Sequence, residues 1–374
     1  MFTEKLKNHL YSFKGWRTNR KIVVIESDDW GSIRMPSKKA FNDLQQGGIP
    51  VGKSLYNSYD SLETANDLDT LFNVLINHKD SNNNHPVFTF NTVMSNPNFE
   101  KIEEAEFKNY YNESFFDSYV RYYGDDLRKV WSEAIGKELI VPQFHAREHL
   151  NIRLWMHDLK LKKAETLLAF KHGFFGLTTN TSSPNQKHYL AAYNVDSMED
   201  FTSLKEITCD GLKIFEDTFG YKSTSFIGCN YVWPTELEEV LYNNGVKLLQ
   251  GQRAQLCPNI DGSGTKIIRN YTGKKNNKGQ IYTVRNADFE PYLSSADSVA
   301  GTMDAVKTAF LWKKPAIIST HRINYSGNID IKKRDNNIKQ LELLLSKIIK
   351  KYPDVEFLPS NKLLNIITDD YSHS

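Results

Sequence analysis

The sequence predicts an α/β protein: a distorted (β/α) barrel of seven or eight strands, forming a single domain with helical insertions. Three observations predict it. Short β-branched apolar runs recur along the chain, amphipathic helical patterns separate them, and no Gly-rich dinucleotide fingerprint follows the first run. The last point weighs against an open doubly wound sheet.

The strand-like runs are, in order, Lys21–Ile25, Pro86–Asn91, Leu139–Phe144, Phe174–Thr179, Thr224–Gly228, Val246–Gln250, Gln280–Val284 and Ala316–Thr320. After the first, Leu68, Leu71, Phe72, Leu75 and Ile76 fall at helical spacing, and Ile338, Leu341, Leu345, Ile348 and Ile349 do so near the end. Stripes of this kind cover a sheet. Segments 96–137 and 157–222 exceed ordinary connections yet contain periodic apolar residues, so they read as elaborated crossovers that shape a substrate groove. Asp261–Gly264 and the basic run Gly273–Gly279 read as hairpin loops. The expected plan is an N-terminal segment 1–20, a barrel 21–365 and a C-terminal tail 366–374.

Composition bounds the function. With 40% apolar and 25% charged residues the 374-residue chain can bury a full core, and a formal charge of +2 supplies no field for nucleic acid or an anionic membrane. Cys209, Cys229 and Cys257 are odd in number and lack the paired spacing of a disulfide framework or a structural zinc site, which fits a reducing compartment. Residues 1–20 show no continuous apolar run, so the expectation is a cytoplasmic protein with neither signal peptide nor membrane span. Oligomeric state is not legible.

Chemistry-bearing residues cluster at strand ends, where barrel enzymes keep their sites. Ile22–Ile25 runs into Glu26-Ser27-Asp28-Asp29-Trp30-Gly31, and alternation along a strand lets two adjacent carboxylates take different roles, one on a metal and one on water. An Asp-Asp pair also caps helices and turns. Leu139–Phe144 leads into His145-Ala146-Arg147-Glu148-His149, in which histidines four apart on a first helical turn share a face and converge on one cation. Ala316–Thr320 ends in His321, a general acid or base on one reading and a core histidine on the other. Asn230, Tyr231 and Trp233, after the run Phe226–Cys229, are candidates to line a sugar site or to pack the core, and Trp30 and Arg147 join the substrate-binding candidates.

In this combination and order, Asp28-Asp29 after one strand, His145-x-x-x-His149 after another and a late His321 resemble the polysaccharide deacetylases, the NodB-like carbohydrate esterases. The resemblance runs from about Lys21 to about Leu363. It implies hydrolytic removal of acetyl groups from an amino sugar of a cell-surface polysaccharide or its precursor. Asp28 is then the base, Asp29, His145 and His149 the ligands of one divalent cation, and His321 the acid. Zinc is the first expectation, with cobalt or nickel compatible. Two departures stand out: Trp30 occupies the place of a glycine, and the arginine that steadies the base is missing from Phe226–Val232. Arg147 or Arg285 could supply that charge, and Asp288 is the candidate to orient His321. Two other readings remain open: an inverted zincin protease built on His145, Glu148 and His149, and a non-catalytic glycan-binding relative.

Overall fold

The computed structural model describes residues 14–177, 188–293 and 297–372. Its centre is a parallel sheet of β1 (Lys21–Trp30), β2 (Phe88–Val93), β3 (Ile140–Ala146), β4 (Ser225–Phe226), β5 (Leu248–Gly251), β6 (Ile281–Val284), β7 (Ala287–Asp288), β8 (Ala316–His321) and β9 (Val355–Phe357). Strand order is β6-β5-β4-β3-β2-β1-β8-β7, and β9 pairs the start of β1. The central strands are buried along nearly their whole length, which is why they read as continuous apolar runs and not as alternating ones.

One stretch of chain serves both margins of this sheet. Ile281–Val284 pairs with β5, whereas Ala287–Asp288 pairs with β8. At the handover the Arg285 amide donates to Gly251 O and the Asn286 amide to Ile317 O, both at 3.0 Å. The sheet is thereby curled round on itself as a distorted barrel, the fold class expected.

Both sequence-read helical stripes form covering helices. The helix Ala65–Ile76 starts with a capping box between Thr64 and Asp67 and buries Leu68, Leu71, Phe72 and Leu75. The helix Ile331–Lys351, whose N-cap Asp330 accepts from the Lys333 amide, buries Ile338, Leu341, Leu345 and Ile348. Asp261–Gly264 closes an antiparallel hairpin between Ala254–Pro258 and Thr265–Arg269. The last helix, Ser360–Ser372, runs through residue 365, buries Ile367 and donates from Tyr371 Oη to Gly273 O at 2.9 Å.

The expected strand Phe174–Thr179 differs. Phe174 to Leu177 carry no regular structure, and Thr178 and Thr179 lie outside the described residues. The Leu177 amide bonds back to Phe175 O at 2.8 Å, a tight bend that no ladder tolerates, while Phe174 and Phe175 fill the core from a loop. A short apolar run reports burial, and burial alone does not choose a strand. Among the described residues no helix is long and apolar enough to cross a membrane.

Candidate metal centre and active site

The C-terminal ends of β1, β3 and β8, together with the turn after β4, wall a cleft of about 360 Å³ lined by Asp28, Asp29, Arg34, Tyr56, His145, His149, Gly228, Asn230, Tyr231 and His321. A bulge makes room for both aspartates. Pairing of β1 with β2 shifts register between Ser27 and Trp30, and Asp29 adopts φ +76°. Strict alternation would have sent Asp28 and Asp29 to opposite faces; the bulge re-aims Asp29 so that both line the cleft. Gly31 follows at φ +79°, where a Cβ would meet Val93 O at 2.7 Å and the Phe115 ring at 2.9 Å. The glycine missing at position 30 thus acts one residue later. Trp30 itself turns into the core, stacked on Phe90 at 3.7 Å and donating to Ser27 Oγ.

The metal-ligand candidates converge. His145 lies on β3 and His149 in the following loop, before the helix Ile152–Lys160; the expected shared helical turn is absent. Both Nε2 atoms nevertheless stand 3.4 Å from Asp29 Oδ1. His145 Nδ1 sits 2.8 Å from Ile227 O, a carbonyl that fixes the proton on Nδ1 and leaves Nε2 as the free donor. Cys229 Sγ adds a sulfur 3.8 Å from His145 Nε2, and donor atoms of His145, His149 and Cys229 lie within 4.8 Å of one another. Bond lengths of about 2.0–2.3 Å to a tetrahedral zinc put its ligand atoms roughly 3.3–3.6 Å apart, so the 3.4 Å spacings of Asp29 from both imidazoles fit a cation. Burial opposes charge here, but the His145 hydrogen bond and the charges of His149, His321 and Arg34 hold Asp29 well below the usual carboxylate range. Burial would raise the Cys229 thiol, yet His145 and His149 bring it down to about 6, towards the thiolate a metal needs.

Asp28 is held by the arginine that the sequence left undecided, and it is Arg285. Nη2 lies 2.6 Å from Asp28 Oδ1 and Nη1 2.7 Å from Oδ2, a two-point clamp, while Nε bonds Glu26 at 2.8 Å. Asn91 Nδ2 donates to Asp28 Oδ1 at 2.7 Å and to Gln250 Oε1 at 2.9 Å. Burial pushes Asp28 up, but Arg285, by charge and hydrogen bond, and the nearby His321 and His145 outweigh it and hold the carboxyl at about 2. Arg147 lies elsewhere, bound to both Glu148 oxygens at 2.9 Å and to Asp210 at 2.8 Å.

His321 stands across from Asp28, its Nε2 3.7 Å from Oδ2. The carboxylate on Nδ1 belongs to Glu290, at 2.5 Å, and not to Asp288, whose side chain is exposed. β7 ends at Asp288, so the chain leaves the ladder before the orienting residue is reached. Asn324 Nδ2 donates to the second Glu290 oxygen and fixes it in turn. Burial would lower His321, but Glu290 first, then Asp28 and Tyr231, raise it to about 10.

Beyond β4 the backbone takes left-handed angles at Asn230 (φ 57°) and Tyr231 (φ 58°), which turn both towards the cleft. Tyr231 Oη lies 3.2 Å from Arg285 Nη1. Trp233 falls back into the core instead, edge-on to Phe226 and bonded to Glu238; a Cβ on Gly228 would meet its ring at 2.6 Å. Glu290, Asn91, Cys229 and Arg34 are the cleft and supporting residues that sequence reasoning missed. An alternating reading from Asp288 to Glu290 would have found the first, and nothing in the sequence marks the others.

The architecture is that of a barrel protein with a buried acid, imidazole and thiol cluster at its strand ends. No protein-family model matches the chain, and no curated protein matches it. Among solved structures it is similar to one from Mycobacterium smegmatis assigned to the polysaccharide deacetylases (TM-score 0.44, 9% identity, 96% of this chain and 94% of that one). It is similar also to one from Pseudomonas aeruginosa PAO1 with the same assignment (0.44, 9%, 93% and 91%). A third is the 4-alpha-glucanotransferase of Thermococcus litoralis (0.45, 8%, 93% and 40%). No residue role or activity transfers at that level of likeness.

Proposed function

We propose that the protein is a metal-dependent carbohydrate deacetylase that hydrolyses the acetyl group of an N-acetylated, or O-acetylated, sugar of a surface polysaccharide or its precursor. The observation that carries this reading is that two paired dyads, Asp28–Arg285 and His321–Glu290, line the same cleft as the metal-ligand set. Asp29, His145 and His149 would hold a divalent cation, which when bound would acidify a water and polarise the acetyl carbonyl. Asp28, ionised and fixed in direction by Arg285 and Asn91, accepts a proton from the attacking water. His321 is protonated at neutral pH, and with Nδ1 tied to Glu290 it offers Nε2–H to the departing amine. The Tyr231 and Val232 amides are spent within their turn, on Gly228 O and Cys229 O, which leaves the Asn230 amide as the neighbouring donor for an oxyanion. A thiolate beside two imidazoles favours zinc, with cobalt and nickel compatible.

The inverted zincin reading needs Glu148 beside the cation and both histidines on one helix. Glu148 instead faces Arg147 and Asn112, outside the cleft, and His149 precedes the helix.

Metal-stripped protein should bind one equivalent of zinc or cobalt, and His149→Ala should lose that binding while keeping its melting behaviour. Cobalt absorption gives a second readout: with Asp29, His145 and His149 as ligands and the fourth position left to water no sulfur charge-transfer band is expected, and a band that vanishes in Cys229→Ala would add Cys229 to the set. Stoichiometric binding by His149→Ala would remove the metal assignment. The activity itself is tested by acetate release from a panel of acetylated sugars and nucleotide sugars. Metal binding without acetate release from any of them would favour the glycan-binding relative.

His321 is tested by leaving group. Amines leave poorly unless protonated, so His321→Ala should cost about 100- to 10,000-fold on an N-acetyl sugar. On nitrophenyl acetate, whose leaving group needs little protonation, the loss should be far smaller at equal metal content. Equal losses on both would make His321 a structural histidine or a further ligand.

A further inference from the structure

The cleft contains one guanidinium to which none of the roles above gives a bonded partner. Arg34 follows β1 in a loop fixed on both sides: the Ile33 amide donates to Asn96 Oδ1 at 2.8 Å, and the Met35 amide to Asp60 O at 2.9 Å. Its side chain lines the cleft although the residue is only 8% exposed. Nε has no hydrogen-bond partner, and no ion pair to this guanidinium occurs among the described residues. The nearby carboxylates Asp29 and Asp60 reach it by charge alone, and none of those described forms an ion pair with it. Asp60 and Glu63 are bonded by Arg322, at 3.0 and 3.1 Å, and Asp29 faces the two imidazoles of the metal set.

A guanidinium stays charged at any pH a protein meets, and burying one without a partner is costly. Such a group persists where something else supplies the anion. The Arg34 Cζ sits 5.4 Å from the Tyr56 ring centroid, and that ring stands edge-on to His321 at 5.4 Å. Tyr56 thus contacts both Arg34 and the acid histidine, and all three line the same cleft. The guanidinium edge is suited to a planar or tetrahedral oxyanion taken at two points.

We propose that Arg34 is the anion-recognition residue of this cleft, and that the substrate carries a carboxylate or phosphate on, or next to, the sugar that bears the acetyl group. This rests on the deacetylase reading and narrows its substrate class to acidic acetylated sugars. Tyr56 shields the guanidinium from water and orients it.

The test compares three N-acetylated substrates of equal size class on zinc-loaded protein: a neutral methyl glycoside, a uronic acid and a sugar phosphate. Wild type should prefer one of the two anionic substrates over the neutral one by about 10- to 100-fold in kcat/KM, the range of a charge-assisted contact, chiefly through KM. Which of the two wins separates carboxylate from phosphate. Arg34→Gln should collapse that ratio towards unity, and Arg34→Lys should keep part of it. No preference in wild type, or an undiminished ratio in Arg34→Gln, would overturn the proposal. Calorimetric titration with inorganic phosphate and with glucuronate, which needs no turnover, distinguishes the two readings. Anion binding that Arg34→Gln abolishes supports the anion site even if no acetate is ever released, whereas acetate release without anion dependence sinks this inference alone.

Discussion

Asp28→Asn should lose about 100- to 10,000-fold in acetate release while retaining its cation, because it removes the proposed base and leaves Asp29, His145 and His149 untouched. The substitution is nearly isosteric and keeps one of the two oxygens that accept from Arg285, so the fold should survive it. A base held at about 2 gives up basicity for orientation, since the same Arg285 clamp that fixes both oxygens also stabilises the ionised form. Placement therefore has to supply what proton affinity does not, and the clamp's geometry carries the catalytic burden. Rate and metal stoichiometry must be measured on the same sample. Activity near wild type in Asp28→Asn with zinc bound would mean that water is activated by another group.

Arg285→Met should be the most destabilising single change in the cleft, by roughly 3–5 kcal/mol, the range for breaking a buried ion pair by removing one partner. Arg285 is fully buried with Glu26 and Asp28, and Met leaves Glu26 without its ion pair and Asp28 with only His321 nearby, at 3.7 Å. Denaturant unfolding of metal-loaded protein measures the loss. Adding Asp28→Asn to Arg285→Met should recover part of it, because one of the stranded charges is then gone; a strictly additive double variant would show that the ion pair is not what Arg285 contributes.

Much of the barrel was legible because parallel strands buried on both faces leave long apolar runs, and Lys21–Ile25 or Ala316–Thr320 admit few other readings. Phe174–Leu177 shows the limit of that signal, since a loop that buries two phenylalanines has the same composition. In the site, residues at strand ends line the cleft wherever the ladder itself carries them, as at Asp28, His145 and His321. Differences arose at the bulge in β1 and in the turn just past β4. Alternation gives the wrong face for Asp29, because a bulge is a property of pairing partners and not of local sequence. Trp30 and Trp233 look like sugar platforms, yet the same backbone turns that aim Asp29 and Tyr231 at the cleft send both indoles into the core. Arg285 and Arg147 could not be ranked because the choice depends on a contact 257 residues apart along the chain. Cys229 has no partner cysteine to announce it, and only the fold brings it to His145.

The run that borders both margins of the sheet also sets the order in which the molecule can be assembled. Asp28 and Glu26 are synthesised and able to pair with β2 long before Arg285 emerges, and the amide on either side of Arg285 finds its carbonyl only when β5 and β8 are both in place. A nascent chain that ends short of residue 285 therefore has two acidic side chains committed to a future interior with nothing to balance them. The run from 281 to 288 brings Arg285 to those acids, and the barrel is latched only when Ala316–His321, synthesised later still, gives Asn286 and Ala287–Asp288 their partners.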